Sequence, residues 1–381
     1  MLKTKKKFKI KRVVPKQKQS HHAFAAFLGS LLLLLIAVSV FWDDIVCFTP
    51  YCSNTITKYV ISGNSNRKID ANGNTVSLCG TNGLYVIGRD GSDSASFITA
   101  FPNPLMSVSD YGTAAASKNG KEFYVLDKNG ASRKILTEHP ILNIKLSDGG
   151  YTAAIMNQPG YNGSVTVYDK KGTALFNWHA GKSNLIDASV SKNGRLLAVS
   201  CTDFSQNTLN CRLLLFDITK SSEAFSTIEF GDNLVSSVSF SGNKIFCVGD
   251  RAFVCCSSSG KEKWHLDYGG KLLNFYDVSE KNNLVFALGT SSLDRNMSVM
   301  SYTSGGRLRG TYSGEFDTSF ICTTKNRIIL ASKRKLLAVS PSGRVKNTKM
   351  LEKDILSIAA YDKGNSIFVD EGGNAEIFMF K

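Results

Sequence analysis

Proline is scarce in this chain, with 7 residues in 381 against 32 glycines. That ratio excludes a Pro-rich stalk and favours many tight turns. Histidine is scarcer still: His21, His22, His139, His179 and His265 are the whole supply. The last three lie 40 and 86 residues apart, which matches no compact metal-ligand spacing. No Cys-x-x-Cys pair exists, so neither a zinc ribbon nor a thioredoxin-type centre is indicated. A G-x-S-x-G elbow, an H-E-x-x-H pair, a Walker loop, an EF-hand and a dinucleotide fingerprint are all missing. The sequence therefore calls for no cofactor and no metal, and it nominates no catalytic set.

Acidic residues are missing from residues 1–18, which hold nine Lys and Arg side chains. Removing those nine from the total of 46 leaves 37 basic against 31 acidic residues, so most of the formal charge of +15 belongs to one short tail. The remaining +6 is interspersed, and nucleic acid is excluded as the expected partner. Charge is absent again from Ala23 to Trp42, "AFAAFLGSLLLLLIAVSVFW". Twenty residues at 1.5 Å per residue reach about 30 Å, a bilayer's hydrocarbon thickness. Trp42 sits where an indole suits the interface, and Asp43 and Asp44 follow it. The basic flank orients the N-terminus into the cytoplasm. The apolar run is too long for a signal-peptide core, and "FWDDIVCF" offers no small-residue cleavage site. The expected organisation is a basic cytoplasmic tail (1–22), a transmembrane signal anchor (23–42), a linker (43–54) and an extracytoplasmic domain (55–381).

What the domain has is repetition. The phrase "FYVLDKNG" (Phe123–Gly130) returns as "VTVYDKKG" (Val165–Gly172) and "LLAVSPSG" (Leu336–Gly343). Its seven copies end at Gly91, Gly130, Gly172, Lys220, Gly260, Gly305 and Gly343. A second turn precedes each phrase, ending at Gly73, Gly112, Gly150, Gly194, Gly242, Asn282, Asn326 and Gly364. Alternating, β-branched segments lie between, so each unit reads as four antiparallel strands, A to D, in about 42 residues. That is one blade of a β-propeller, and the fold class is all-β. The A–B turn occurs eight times and the C–D turn seven, because the last unit stops at Lys381 without a strand D. Thr55–Ser62, "TITKYVIS", is a strand without a partner in its own unit. Its pairing with the last blade would close the ring and leave no open edge. Eight blades are expected, or seven if residues 63–101 are irregular.

"SSSGKEKW" (Ser257–Trp264) resembles the G-K-x-x-W phrase of quinoprotein-like (PQQ-type) β-propeller repeats, and "DKKGTALFNW" (Asp169–Trp178) is a looser version. The whole arrangement resembles an uncharacterised family of bacterial signal-anchored propeller proteins. The resemblance implies that Trp178 and Trp264 dock one blade on the next. Most blades lack the tryptophan, so the resemblance implies no cofactor chemistry.

Asp127, Asp169 and Asp217 precede the C–D turns, one per blade, and read as turn formers whose carboxylates accept local backbone N–H groups. Function is sought at the other end of the blades. Three B–C connections are expanded: Asn157–Ser164, Cys201–Cys211 and Gly289–Ser298. They carry Tyr161, Asp203, Phe204, Asp294 and Arg295 to one rim, and long loops on a rigid scaffold are where binding resides. The nine cysteines are mostly within apolar strands. Cys201 and Cys211, at the neck of one loop, are the candidate disulfide. The expected function is a membrane-anchored extracytoplasmic binding or scaffold module of the cell envelope, held through residues 23–42, with a protein or envelope polymer as partner. The alternative is a hydrolase or lyase acting on envelope glycan. Carboxylates converging on the central channel favour the enzyme; an apolar or aromatic patch on the B–C rim favours the binder.

Overall fold

The computed structural model describes Ser30 and residues 55–60, 67–73, 75–88, 93–205, 208–278, 283–292, 294–324, 326–361, 366–371 and 374–379. Residues 1–52 with Lys381 form one unit, and Ser53–Phe380 form the other. Among the described residues no helix is long and apolar enough to cross a membrane. The segment 23–42, apart from Ser30, and the segments 1–22 and 43–54 lie outside them.

The second unit consists of eight four-stranded antiparallel sheets, and seven of them take their strands in sequence order. Their innermost A strands begin at Lys68, Pro104, Ile141, Asn184, Val235, Leu272 and Phe320 for blades one to seven. The eighth sheet is composite. Ser357–Ala360, Ser366–Asp370 and Asn374–Met379 supply three strands, and Thr55–Val60 pairs on the outside of Asn374–Met379. The first strand of the domain thus completes its last blade, as the unmatched "TITKYVIS" and the missing C–D turn require. The weak unit at 63–101 is a true blade, with strands Lys68–Asn72, Thr75–Gly80, Gly83–Gly88 and Asp93–Phe97.

Alternation explains the blades' cores. In blade two, Ala114 and Ala116 share a cluster with Phe123, Val125 and Ile135, and blade three adds Ile144, Ala154 and Met156 to it. The alternate residues, Ala115, Tyr124 and Leu126, pack instead against Cys79, Leu84 and Phe101 of the blade-one side. Each sheet is buried on both faces, which is why its B and C strands are apolar nearly throughout.

The repeated phrase is a locking device. Asp127 Oδ1 accepts the N–H groups of Asn129 (2.9 Å) and Ala131 (3.0 Å). Asp169 Oδ1 accepts those of Lys171 and Thr173, both at 2.8 Å. Ser257, Thr303 and Ser340 perform the same task with a hydroxyl in blades five to seven. The glycine at the end of the turn has two reasons to be there. In blade six that glycine is Gly306, one residue beyond the Gly305 read from the sequence: its φ is +87°, and a Cβ would meet the Trp264 ring of the preceding blade at 2.7 Å. Trp264 also stacks on Tyr302 and donates Nε1–H to the Ser304 carbonyl at 3.4 Å. Trp178 packs likewise on Phe216 of blade four. Both tryptophans therefore dock one blade on the next, as the quinoprotein-like phrase implies.

Polar bonds close the seam between blades eight and one. Arg67 leads into blade one and donates Nε and Nη2 to the Asp370 carboxylate of blade eight, which is 1% exposed. Removing one partner of such a buried pair costs about 3–5 kcal/mol, because the other charge stays behind. Arg67→Ala is expected to destabilise the domain by about that much in denaturant titrations, with the Asp370→Asn background giving back part of the loss. Equal and additive losses in the double-mutant cycle would rule out the pair as the seam's fastening.

Candidate functional site

The three expanded B–C connections differ from one another once folded. In blade four, strands Leu196–Ser205 and Thr208–Asp217 are ten residues each and stay paired to Ser205↔Thr208. What the sequence suggested as an irregular loop is a continuous β-ribbon extending beyond the sheet. Phe204 lies near its tip and is 75% exposed. Asp203 forms an ion pair with Arg212, whose Nη2 also donates to Ser183 Oγ at 2.8 Å. The ribbon is thereby braced against the connection from blade three. Tyr161, 46% exposed, stacks on His179 with centroids 4.9 Å apart and planes 28° apart. Its loop is held to the same connection by Asn162 Nδ2 donating to the Lys182 carbonyl at 2.9 Å. Blades three and four thus bring Tyr161, Asp203 and Phe204 to either side of residues 180–185.

The expected disulfide does not form: Cys201 and Cys211 are free thiols, both buried. Register is the reason. Cys201 lies opposite Arg212, and Cys211 lies opposite Thr202. Being one residue out of step, the two side chains point to opposite faces of the ribbon. Cys211 Sγ accepts the Val235 N–H instead, at 3.3 Å. Burial pushes both thiols above their ordinary pKa, which holds them protonated and unreactive.

In blade six, Asp294 turns inward on its own loop. Oδ2 accepts the Thr290 N–H at 2.7 Å and its hydroxyl at 2.9 Å, and Oδ1 accepts the Asn296 N–H at 2.8 Å. These backbone bonds hold its carboxyl below the usual carboxylate range. Arg295 is exposed, and its carbonyl accepts the Phe316 N–H at 2.9 Å. Asp294 shapes its loop.

The sequence reading missed a cavity. It lies on the propeller axis, has a volume of about 470 Å³, and opens among the A–B turns, at the rim opposite the expanded loops. Strand registers align one residue of each A strand at the same level. In blades one to six these are Asp70, Ser107, Lys145, Ser189, Ser239 and Asp277; blades seven and eight place Cys322 and Ala359 there. The ring is therefore polar around most of its circumference and apolar across two blades. Several of its polar groups fasten blades together. Asp187 accepts from Asn143 Nδ2 (3.0 Å), Lys145 Nζ (2.7 Å) and the Val238 N–H (2.8 Å). Lys145 also donates to the Val238 carbonyl at 2.6 Å, so one ion pair joins blades three, four and five. Asp277 Oδ2 accepts both the N–H and the hydroxyl of Thr323 in blade seven. Among the carboxylates at the axis, Asp277 thus serves a structural bond, and Asp70, Asp110 and Asp148 line the cavity with it. Among the described residues no three His, Cys, Asp or Glu side chains are grouped to hold a metal ion. The signal in the sequence was faint, since the axial residues are single positions about a blade apart.

Comparison with known proteins places the fold. Residues 51–379 match the profile of a family of unknown function, DUF5711. No curated protein matches the chain. Among solved structures, the C-terminal WD40 domain of Sif2 is similar with a TM-score of 0.62 at 10% identity, covering 86% of this chain and 98% of that one. BamB from Moraxella catarrhalis is similar with a TM-score of 0.54 at 11% identity, covering 86% and 97%. A chain of the Mitotic Checkpoint Complex is similar with a TM-score of 0.50 at 12% identity, covering 99% of each. At these identities the likeness shows the propeller fold.

Two outcomes follow from the thiols and the loop. Non-reducing peptide mapping should find Cys201 and Cys211 as thiols that are alkylated only after unfolding, and a 201–211 cross-linked peptide would overturn that assignment. For Asp294 the sign is set by its lowered folded-state pKa: its bonds contribute above the unfolded carboxylate pKa and are lost as pH falls through the folded value. Amide protection at Thr290 and Asn296 should persist at neutral pH, fade below the ordinary carboxylate range, and be missing at every pH in Asp294→Ala.

Proposed function

We propose that this chain, which belongs to the DUF5711 family of unknown function, is a binding or scaffold module that offers its B–C rim to a protein of the cell envelope. Residues 23–42 tether it to the membrane, and the propeller lies outside the cytoplasm. The tether and its orientation rest on the charge-free run and the nine basic residues before it. The binding role rests on one observation, the braced ribbon of blade four with Phe204 exposed near its tip. An aromatic side chain on a paired ribbon has little conformational entropy left to lose on binding, so its burial converts efficiently into affinity. Tyr161, held against His179 on the neighbouring blade, adds a second such ring on the same rim. Aromatic anchors set among polar groups are the usual energetic centre of a protein interface.

The full-length chain, carrying a photoreactive phenylalanine at position 204, should cross-link to a protein in envelope preparations. The same probe at Leu136, an exposed residue on an outer strand of blade two, should not. Phe204→Ala and Tyr161→Ala should each reduce recovery of that partner about tenfold, the loss of roughly 1.4 kcal/mol of affinity. Equal cross-linking from both positions, or recovery unaffected by both substitutions, would refute the rim as the binding face.

A further inference from the structure

The axial cavity is independent of the B–C rim, and the binding role proposed for that rim does not need it. We propose that the A–B mouth of the channel is a saccharide-binding site. The volume, about 470 Å³, falls within the roughly 300–1,000 Å³ of small-molecule sites.

A sugar ring presents a rim of hydroxyls that both donate and accept, and faces made of C–H groups. It is matched by carboxylates that accept from neighbouring hydroxyls, by protein hydroxyls, and by an apolar surface for the ring face. The aligned ring supplies these in separate arcs. Ser189 and Ser239 lie side by side in blades four and five, and both line the cavity. Neither side chain is engaged in a hydrogen bond among the described residues, so each can serve a ligand in either sense. Asp277 follows in blade six and is held in place by the two Thr323 bonds to one of its oxygens. Beyond it, Cys322 and Ala359 form the apolar arc, and Asp70 bounds that arc on its far side. Tyr276 also lines the cavity and is 40% exposed, offering a ring face at the same mouth.

The wall carries both signs: Asp70, Asp110, Asp148 and Asp277 line it together with Lys145 and Lys192, and Lys145 is already paired with Asp187. An anion would meet the four carboxylates. A small organic cation is the competing ligand, and the test below includes one. A saccharide uses donors and acceptors of both kinds, and the unengaged hydroxyls of Ser189 and Ser239 beside an apolar arc suit it better than they suit a bare cation.

The test titrates the full-length chain in detergent with chitotriose, maltotriose, cellotriose and mannotriose, and with spermidine as the cationic competitor, by calorimetry and saturation-transfer NMR. At least one trisaccharide should bind. Ser239→Leu, which fills the polar arc, and Asp277→Asn, which keeps an acceptor for Thr323 but removes the charge, should each weaken it about tenfold or more. Phe204→Ala should leave the affinity unchanged, which separates this site from the B–C rim. Thermal melts of both channel variants show whether the fold persists; should Asp277→Asn unfold, Ser239→Leu carries the test by itself. The proposal is overturned if no trisaccharide binds at about 10 mM, if binding survives both channel substitutions, or if spermidine binds and the sugars do not.

Discussion

Everything in this propeller depends on one antiparallel pairing, Thr55–Val60 against Asn374–Met379. A ring of sheets has no edges only while it is closed, and here the two ends of the chain supply the closure jointly. Without that pairing, Asn374–Met379 would present an unpaired row of N–H and C=O groups, and the A strands would lose the constraint that keeps them facing one axis. The Arg67–Asp370 contact secures the adjoining seam between blades eight and one, joining the residue that enters blade one to the second strand of blade eight. Closure also makes the domain a single cooperative object, because residues more than 300 positions apart are neighbours at the seam.

Much of this architecture was legible in the sequence because the repeat is enforced at the level of the backbone. A turn that needs an acceptor before it and a glycine after it leaves a mark in most blades, even where Ser or Thr replaces Asp. Blade number could be counted for the same reason, and the missing eighth phrase identified the strand that replaces it. The ribbon of blade four was not legible. "CTDFSQNTLNC" is rich in the residues of loops, and its pairing follows from continuing the register of the two strands beneath it. That oversight also produced the disulfide expectation, since two cysteines at a loop's neck can meet, whereas two that are one residue out of step on a ribbon cannot.

The axis was harder to foresee. Asp70, Lys145 and Asp277 are isolated charges in a linear reading, and each lies in a strand whose neighbours are ordinary. Only alignment of the A strands at one level turns them into a ring. Asp294 is a similar case: a linear reading shows one acidic residue in a long exposed loop, and only the fold shows its oxygens accepting from Thr290 and Asn296. In both cases the deciding information was which hydrogen-bond partner stood within reach, and composition does not carry that.

The docking of C–D turns against the outer strand of the blade before, at Gly172, Gly260, Gly343 and most plainly at Gly306 under Trp264, divides the domain's two rims by how freely they can evolve. An insertion at the C–D end would lift a turn off its neighbour and spread through the whole circle. An insertion at the B–C end lengthens a hairpin and disturbs little else. Novelty should therefore accumulate on one side of this disk over evolutionary time while the other side stays fixed, and the long connections of blades three, four and six lie on the permissive side.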